Sequence, residues 1–441
     1  MKNSASNKQK KTIGEQKINV QVQSEPSKKT VFPKYLYIIL AFIPAIIPIL
    51  FYFLVINDYA VNLPYRDDYD AILKFLINFS KSSSLDKLSL LFSQHNEHRI
   101  LSSRLLYFSY YELFTTINLK NVIFIGNAQL IIIFSICAYF LRKHITLYWG
   151  LPILVLSLCI FDINNYENSD WAMACVQNYG IIMFFMLSLF FYNFNDKRTL
   201  PLAILAQFIC AFSSGNGILA GMSIILFNLL NKDRVKILSS SIAFVFFSSL
   251  YFYHYKSYPN PYMGKHVLDI LSYFFGLAGA HFGRDYRIFI GVILYLSIPF
   301  LIFSNMKFFI KKEITPFISM LLFITLSMCS TSVFRSGGDL SIDQASYTIR
   351  YLIYPHLLAA TLFCILAIRL EQVKIRIYIL VCLSVLFLKG YKENYDYGEK
   401  GYIRINNRLT TVNYNYPDSN YAKKVEVEAC KNGIYCIEPN R

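Results

Sequence analysis

Apolar runs of near-membrane length alternate with short polar connections over residues 33–389. The runs are 33–56, 121–141, 147–163, 174–194, 199–213, 217–230, 237–254, 287–305, 314–333, 348–369 and 374–389. A helix needs about 20 apolar residues to cross a bilayer, fewer where neighbours shield it. The pattern therefore predicts an all-α polytopic membrane protein with about 11 transmembrane helices. Run 267–283 is also apolar, but Asp269, His281 and three glycines interrupt it. It reads as re-entrant or interfacial, because irregular backbone survives at membrane depth only when protein covers it.

Basic residues sort the connections into two sets. One set carries Arg142/Lys143, Lys197/Arg198, Lys232/Arg234/Lys236, Lys307/Lys311/Lys312 and Arg369/Lys374/Arg376. In the alternate set, 164–173 and 213–217 have no Lys or Arg, and 334–347 has only Arg335. Excess Lys and Arg mark the cytoplasmic side. The N-terminus is thus expected inside, and residues 57–120 form a long first loop outside. An odd number of spans sends the polar tail 390–441 outside as well. Its Cys430 and Cys436 then sit where a short-loop disulfide can form. The other seven cysteines lie in or beside apolar runs and form no zinc-ligand spacing.

Composition agrees with this picture. Of the 441 residues 55% are apolar and 16% charged, with 38 Phe and 34 Tyr, whereas soluble domains average roughly 25% charged residues. The net charge is +16, yet residues 1–34 alone hold eight lysines against Glu15 and Glu25. Segment 1–32 reads as a disordered basic cytoplasmic tail, suited to touching anionic lipid and not to binding nucleic acid.

Once sides are assigned, the unusual polar residues collect outside. The first loop opens with Arg66-Asp67-Asp68-Tyr69-Asp70 and continues to Gln94-His95-Asn96-Glu97-His98-Arg99. Asp67 or Asp68 can serve as a general base, since a partly dehydrated carboxylate within reach of a hydroxyl has the raised pKa such work needs; capping a helix near Asp70 is the plainer alternative. The spacing of His95, His98 and Arg99 places all three on one face of an amphipathic helix lying on the membrane. That ridge suits a phosphate. With Glu97 it lacks the His-Glu-x-x-His spacing, so no metal ligand is assigned and no cofactor is required, although a divalent ion stays a lesser option. Later loops add Glu167, Trp171 and Gln177, then Asn216 within Ser213–Gly217, then Arg335, Arg350 and Tyr351. Trp171 can anchor at the headgroups or stack on a sugar ring, and the two arginines are candidates for holding a lipid-linked phosphate, unless they pair with Asp339 or the first-loop acids.

Many spans, an N-terminus inside, a long first outer loop with acidic residues and membrane-lying helices in it together resemble the GT-C superfamily of integral-membrane glycosyltransferases. Asn168-x-x-Trp171 with Gln177, Ser213-Ser214-x-Asn216-Gly217 and Arg350-Tyr351 look like pieces recurring in bacterial envelope proteins of this type. Serotype-modifying O-antigen glucosyltransferases are similar in size, odd span number and polar C-tail. The adjacent Asp pair departs from the spaced acidic motif of that class. The resemblance implies a GT-C-like domain at 33–389 in a bacterial inner membrane, taking a sugar from a polyprenyl-phosphate donor to a surface glycan or lipid-linked glycan. It also implies that Asp67 or Asp68 is the base, with the His/Arg ridge in the same cleft. An O-antigen or capsule polymerase and a lipid-glycan transporter (flippase) are the alternatives. A transporter should place ionisable groups near the midplane, and His356 is the clearest such residue.

Overall fold

The computed structural model describes residues 34–142, 150–283, 285–303, 313–337, 348–370, 376–411 and 414–437. The basic tail 1–32, Asp339 and Asp343 lie outside the described residues.

Every apolar run becomes a helix. Helix α1 spans Lys34–Tyr59. The first loop supplies a π-helical turn Tyr69–Lys74, α2 (Phe75–Lys81), α3 (Ser84–Phe92), strands β1 (Gln94–His95) and β2 (His98–Arg99), and α4 (Leu101–Phe114). Then come α5 (Leu119–Leu141), α6 (Gly150–Ile160), α7 (Tyr166–Ser169), α8 (Ala172–Tyr192), α9 (Thr199–Ala211), α10 (Gly217–Leu230) and α11 (Arg234–Phe252). Helices α12 (Val267–Gly279), α13 (Arg287–Phe303), α14 (Thr315–Arg335), α15 (Ile353–Arg369), α16 (Arg376–Thr411) and α17 (Ser419–Lys431) complete the chain.

Among the described residues, six segments are long and apolar enough to cross a bilayer: Phe42–Tyr59, Leu119–Leu141, Ala172–Tyr192, Arg234–Phe252, Thr315–Arg335 and Ile349–Arg369. The protein is thus an all-α, membrane-embedded chain. Helices Thr199–Ala211, Gly217–Leu230, Val267–Phe282 and Arg287–Leu301 are apolar but shorter. At 1.5 Å per residue they reach about 20–25 Å, short of the roughly 30 Å hydrocarbon core. Their polar termini therefore fall at depth, where protein must cover them.

Local chemistry sets several helix starts. Ser83 Oγ accepts from Asp86 N, Asn118 Oδ1 from Asn121 N, Asp233 Oδ1 from Lys236 N and Asp418 Oδ1 from Tyr421 N, each satisfying an orphan N–H of a first turn. Small residues let backbones meet. A Cβ on Gly126 of α5 would lie 2.2 Å from Cys175 Sγ of α8, the small-residue contact that drives helix association where water offers no hydrophobic push.

The described residues of the C-terminal segment, 390–411 and 414–437, pack against the rest of the chain. Helix α16 runs on unbroken for 36 residues, and Tyr402 on it is fully buried. Beyond it, Ala422, Val425, Ala429, Ile434 and Tyr435 enter the main core. The tail grips the first loop: Tyr416 and Tyr421 hydroxyls donate to Asp70, Lys74 and Lys81 pair with Glu428, and Ile117 N donates to Ile434 O. Their tyrosines and aliphatics explain this, since each apolar side chain buried contributes about 1.5–3 kcal/mol. Cys430 and Cys436 are joined by a disulfide.

Candidate functional site

Five separate connections meet at one end of the bundle, where α1, α14 and the α9–α10 turn end or begin and the first turns of α8 and α15 sit. The adjacent acids of the first loop have different fates there. Asp68 is 1% exposed. Its Oδ2 accepts from Tyr65 N, and its Oδ1 accepts from Trp171 Nε1 and Met173 N at 3.0, 3.1 and 2.9 Å. Met173 N is an orphan donor of the first turn of α8, so Asp68 caps that helix from another loop. Burial raises the Asp68 carboxyl and outweighs the three N–H donors that lower it, leaving it at about 7. Every one of these partners donates, so an anionic acceptor fits the pocket.

Asp67 is half-buried, and no side-chain hydrogen bond or ion pair holds it among the described residues. It lies within electrostatic reach of His95 and Arg350. One position thus anchors the scaffold, while its neighbour's carboxylate makes no such bonds among the described residues.

Segment 94–99 is a β-hairpin and not a surface helix. Gln94 pairs with Arg99, and His95 with His98. Asn96 holds φ at +49°, the left-handed region that Asn tolerates in a two-residue hairpin turn. Gln94 also latches to the loop after α11, accepting from Lys256 N and donating to Lys256 O. His95 and His98 still share a face, because directly paired strand residues do, but Arg99 points the other way. It is consumed in scaffolding: its guanidinium donates to the carbonyls of Tyr251, Phe92 and Tyr253.

On the histidine face, His98 Nδ1 accepts from Gly215 N at 3.2 Å. Burial, opposed by Glu97, lowers the His98 pKa to about 4, which leaves a neutral ring near pH 7. Burial also lowers His95, whose Nε2 is buried without a hydrogen-bond partner. Burial would raise Glu97, but His98 and Arg335 outweigh it and hold its carboxyl below the usual range. Arg335 pairs with Glu97 at 3.1 Å, and its Nε donates to Tyr351 at 3.2 Å.

The remaining candidates divide in the same way. Trp171 is a buried packing ring and neither a headgroup anchor nor an open sugar platform: its N–H serves Asp68 and its ring meets Tyr65 edge-on at 5.5 Å. Gln177 donates to Ser214, and Asn216 donates to Ser327 and Tyr354, fastening the α9–α10 turn to α8, α14 and α15. Glu167 pairs with Arg66 at 3.7 Å and lies within electrostatic reach of Arg350. Arg350 keeps its Nε buried without a partner, and its carbonyl accepts from Asn168 Nδ2 at 2.6 Å.

Arg66, given no role from sequence, belongs to this set: its guanidinium lies 5.0 Å from the Tyr65 ring and 5.6 Å from Trp171. Its place inside the first acidic cluster was the available signal. Asn178 was also missed, and it donates to Asn168. The free or incompletely satisfied groups are therefore Asp67, His95, Arg66 with Glu167, Arg335 with Glu97, and Arg350. This is a carboxylate within reach of cations, able to accept a proton and hold an anion.

Asp170, beside the same α8 terminus, is 2% exposed, and neither carboxylate oxygen has a hydrogen-bond partner. Burial, opposed by Lys120, pushes it from 3.8 up to about 8. The folded state then keeps a proton that the unfolded state gives up above about pH 4. This contribution to stability is full below pH 4 and is lost as pH rises through 8. Melting curves from pH 5 to 8 should show the wild type losing stability more steeply than Asp170→Asn. Parallel profiles would remove Asp170 from the titration.

No family model, curated protein or solved structure matches the chain.

Proposed function

We infer that this protein is a membrane glycosyltransferase of the GT-C kind, moving a sugar from a polyprenyl-phosphate donor to a glycan acceptor on the extracytoplasmic face. The observation that carries the reading is that Asp67, whose side chain makes no hydrogen bond or ion pair among the described residues, lies within electrostatic reach of His95 and Arg350 at the end of an apolar bundle. A lipid-linked donor reacts at that boundary, its tail among helices and its phosphate against cations. The basic-residue asymmetry, the disulfide in the C-terminal segment and the docking of that segment on the first loop support an odd number of crossings, which the apolar runs put at about 11. They also support a cytoplasmic N-terminus and both first loop and C-terminus outside. The proposed membrane is a bacterial inner membrane, and the proposed acceptor a surface glycan of the O-antigen or lipopolysaccharide kind.

The step is a single inverting displacement. The acceptor oxygen attacks the anomeric carbon and passes its proton to Asp67. The bond from that carbon to the phosphate oxygen breaks, and its electron pair leaves with the polyprenyl phosphate. A phosphate leaving group needs fixed positive charge where its own charge develops, not a strong acid. Arg350 supplies it, with Arg335 beside Glu97 as second contact.

The test is transfer of labelled glucose from polyprenyl-phosphate glucose by the purified protein in proteoliposomes. Arg350→Gln should lower kcat/KM for this donor by about 10–150-fold, the value of one charge-assisted hydrogen bond of about 1.5–3 kcal/mol. Arg335→Gln should cost less, because Glu97 already shares that guanidinium. An unchanged kcat/KM in Arg350→Gln would overturn the phosphate assignment. Movement of the lipid across the bilayer without glycosidic bond formation would favour a flippase.

A further inference from the structure

Below the cleft, three ionisable side chains from three elements converge in the dry interior. Asp162 follows α6, His281 lies in the 3-10 turn Ala280–Phe282 after α12, and His356 lies in α15. They are 1%, 1% and 0% exposed. One ring nitrogen from each histidine and one carboxylate oxygen lie within 4.8 Å of one another. The two Nδ1 atoms are 2.7 Å apart, so one donates to the other. His356 Nε2 is then left 4.0 Å from Asp162 Oδ1 with no hydrogen-bond partner.

That gap is too wide for a hydrogen bond. If His356 donates at Nδ1, its Nε2 is a bare lone pair facing a carboxylate; if it accepts, its Nε2–H is buried unused. Both arrangements are costly in a dry core. A cation between them removes either cost. Zinc takes nitrogen ligands at about 2.0–2.1 Å and carboxylate oxygen at about 2.0–2.2 Å in a tetrahedron, so two ligands of one ion lie roughly 3.4 Å apart, and binding would draw His356 Nε2 and Asp162 Oδ1 together from 4.0 Å by about half an ångström. The carboxylate is already oriented as metal-bound carboxylates are. Its Oδ1 accepts from Asn164 N at 2.9 Å and its Oδ2 from Asn394 Nδ2 at 2.7 Å. Cys159 Sγ, 3.7 Å from His281 Nε2, is a further soft donor at the edge.

We propose that Asp162, His281 and His356 form a binding site for a borderline divalent transition ion, zinc foremost. Imidazole with carboxylate is a donor set that suits zinc and neighbouring metals better than calcium or magnesium. The site is closed by burial on all sides, which fits a structural clamp better than a reacting centre. It ties the turn Ile163–Asn165 and α12 to α15, and through Asn394 to α16. The first of these leads into Glu167 and Asn168, and α15 follows directly on Arg350. The clamp would thus set the floor of the cleft, whatever reaction occurs above it.

The test uses the full chain, purified in detergent with a non-histidine affinity tag. Elemental analysis should find about one zinc per chain, as a single closed site requires. His356→Gln and Asp162→Asn should lose it. Because these variants could fold poorly, the wild type carries a second readout: a chelator should lower its melting temperature and added Zn2+ should restore it. A wild type that retains no ion and whose melting does not respond to Zn2+, Co2+ or Mn2+ would overturn the site and leave a water bridge in its place.

Discussion

Asp67→Asn is expected to lower glycosyl transfer by about 10²–10⁴-fold, the usual contribution of a positioned general base, while leaving the melting temperature unchanged. The second half follows from the geometry. Asp67 makes no side-chain hydrogen bond or ion pair among the described residues, so an isosteric amide removes charge and basicity without breaking a contact. The first half follows from its surroundings. His95 and Arg350 both lie within electrostatic reach of it; burial disfavours the charged form of His95, whereas the guanidinium of Arg350 is a standing cation. Asn at this position cannot take the acceptor's proton, and binding of the donor phosphate should be little affected. The expected signature is therefore a fall in kcat with KM for the donor nearly constant, whereas Arg350→Gln, which also loses a ground-state contact to the donor phosphate, should move KM as well. Wild-type kcat in Asp67→Asn, with the protein folded in the membrane, would end its role as base.

The membrane-protein class was legible because it rests on the most robust sequence signal, long apolar runs, and each run became a helix. The convergence of first-loop, Glu167, Asn216 and Arg350 segments followed from sidedness alone. What could not be read was which polar residues are spent on structure. Asp67 and Asp68 are chemically identical and adjacent, and they differ only because Tyr65 N, Met173 N and the indole of Trp171 happen to face one of them. Arg99 looked like an anion contact, yet three backbone carbonyls claim it. Helical spacing misled at 94–99, since a left-handed Asn96 and the Gln94 latch to Lys256 are decided by tertiary partners. Likewise α16 continued past residue 389 because Tyr402 found a buried site that its polar neighbours did not advertise.

Asp68→Ala should be the most destabilising single change at this end of the molecule, by about 3–5 kcal/mol. Alanine removes the acceptor for three N–H groups at once, and each buried donor left unsatisfied costs about 1–3 kcal/mol. Water entering the vacated space offsets part of the sum, which is why the expected figure lies in the lower half of that range. Asp68→Asn should cost less, because its carbonyl can still serve Trp171 Nε1 and Met173 N; its amide then faces Tyr65 N–H, donor against donor. The order wild type, Asn, Ala is therefore expected in thermal unfolding in detergent. The measurement belongs near pH 8, above the value of about 7 to which burial raises this carboxyl, so that the anionic form is compared. Activity should fall with stability in both variants, because a loosened α8 terminus carries Gln177 and Asn178 with it. This coupling separates Asp68 from Asp67. If Asp68→Ala melts like the wild type, the capping of α8 from the first loop is not what holds the cleft together, and the division of labour between the two acids fails.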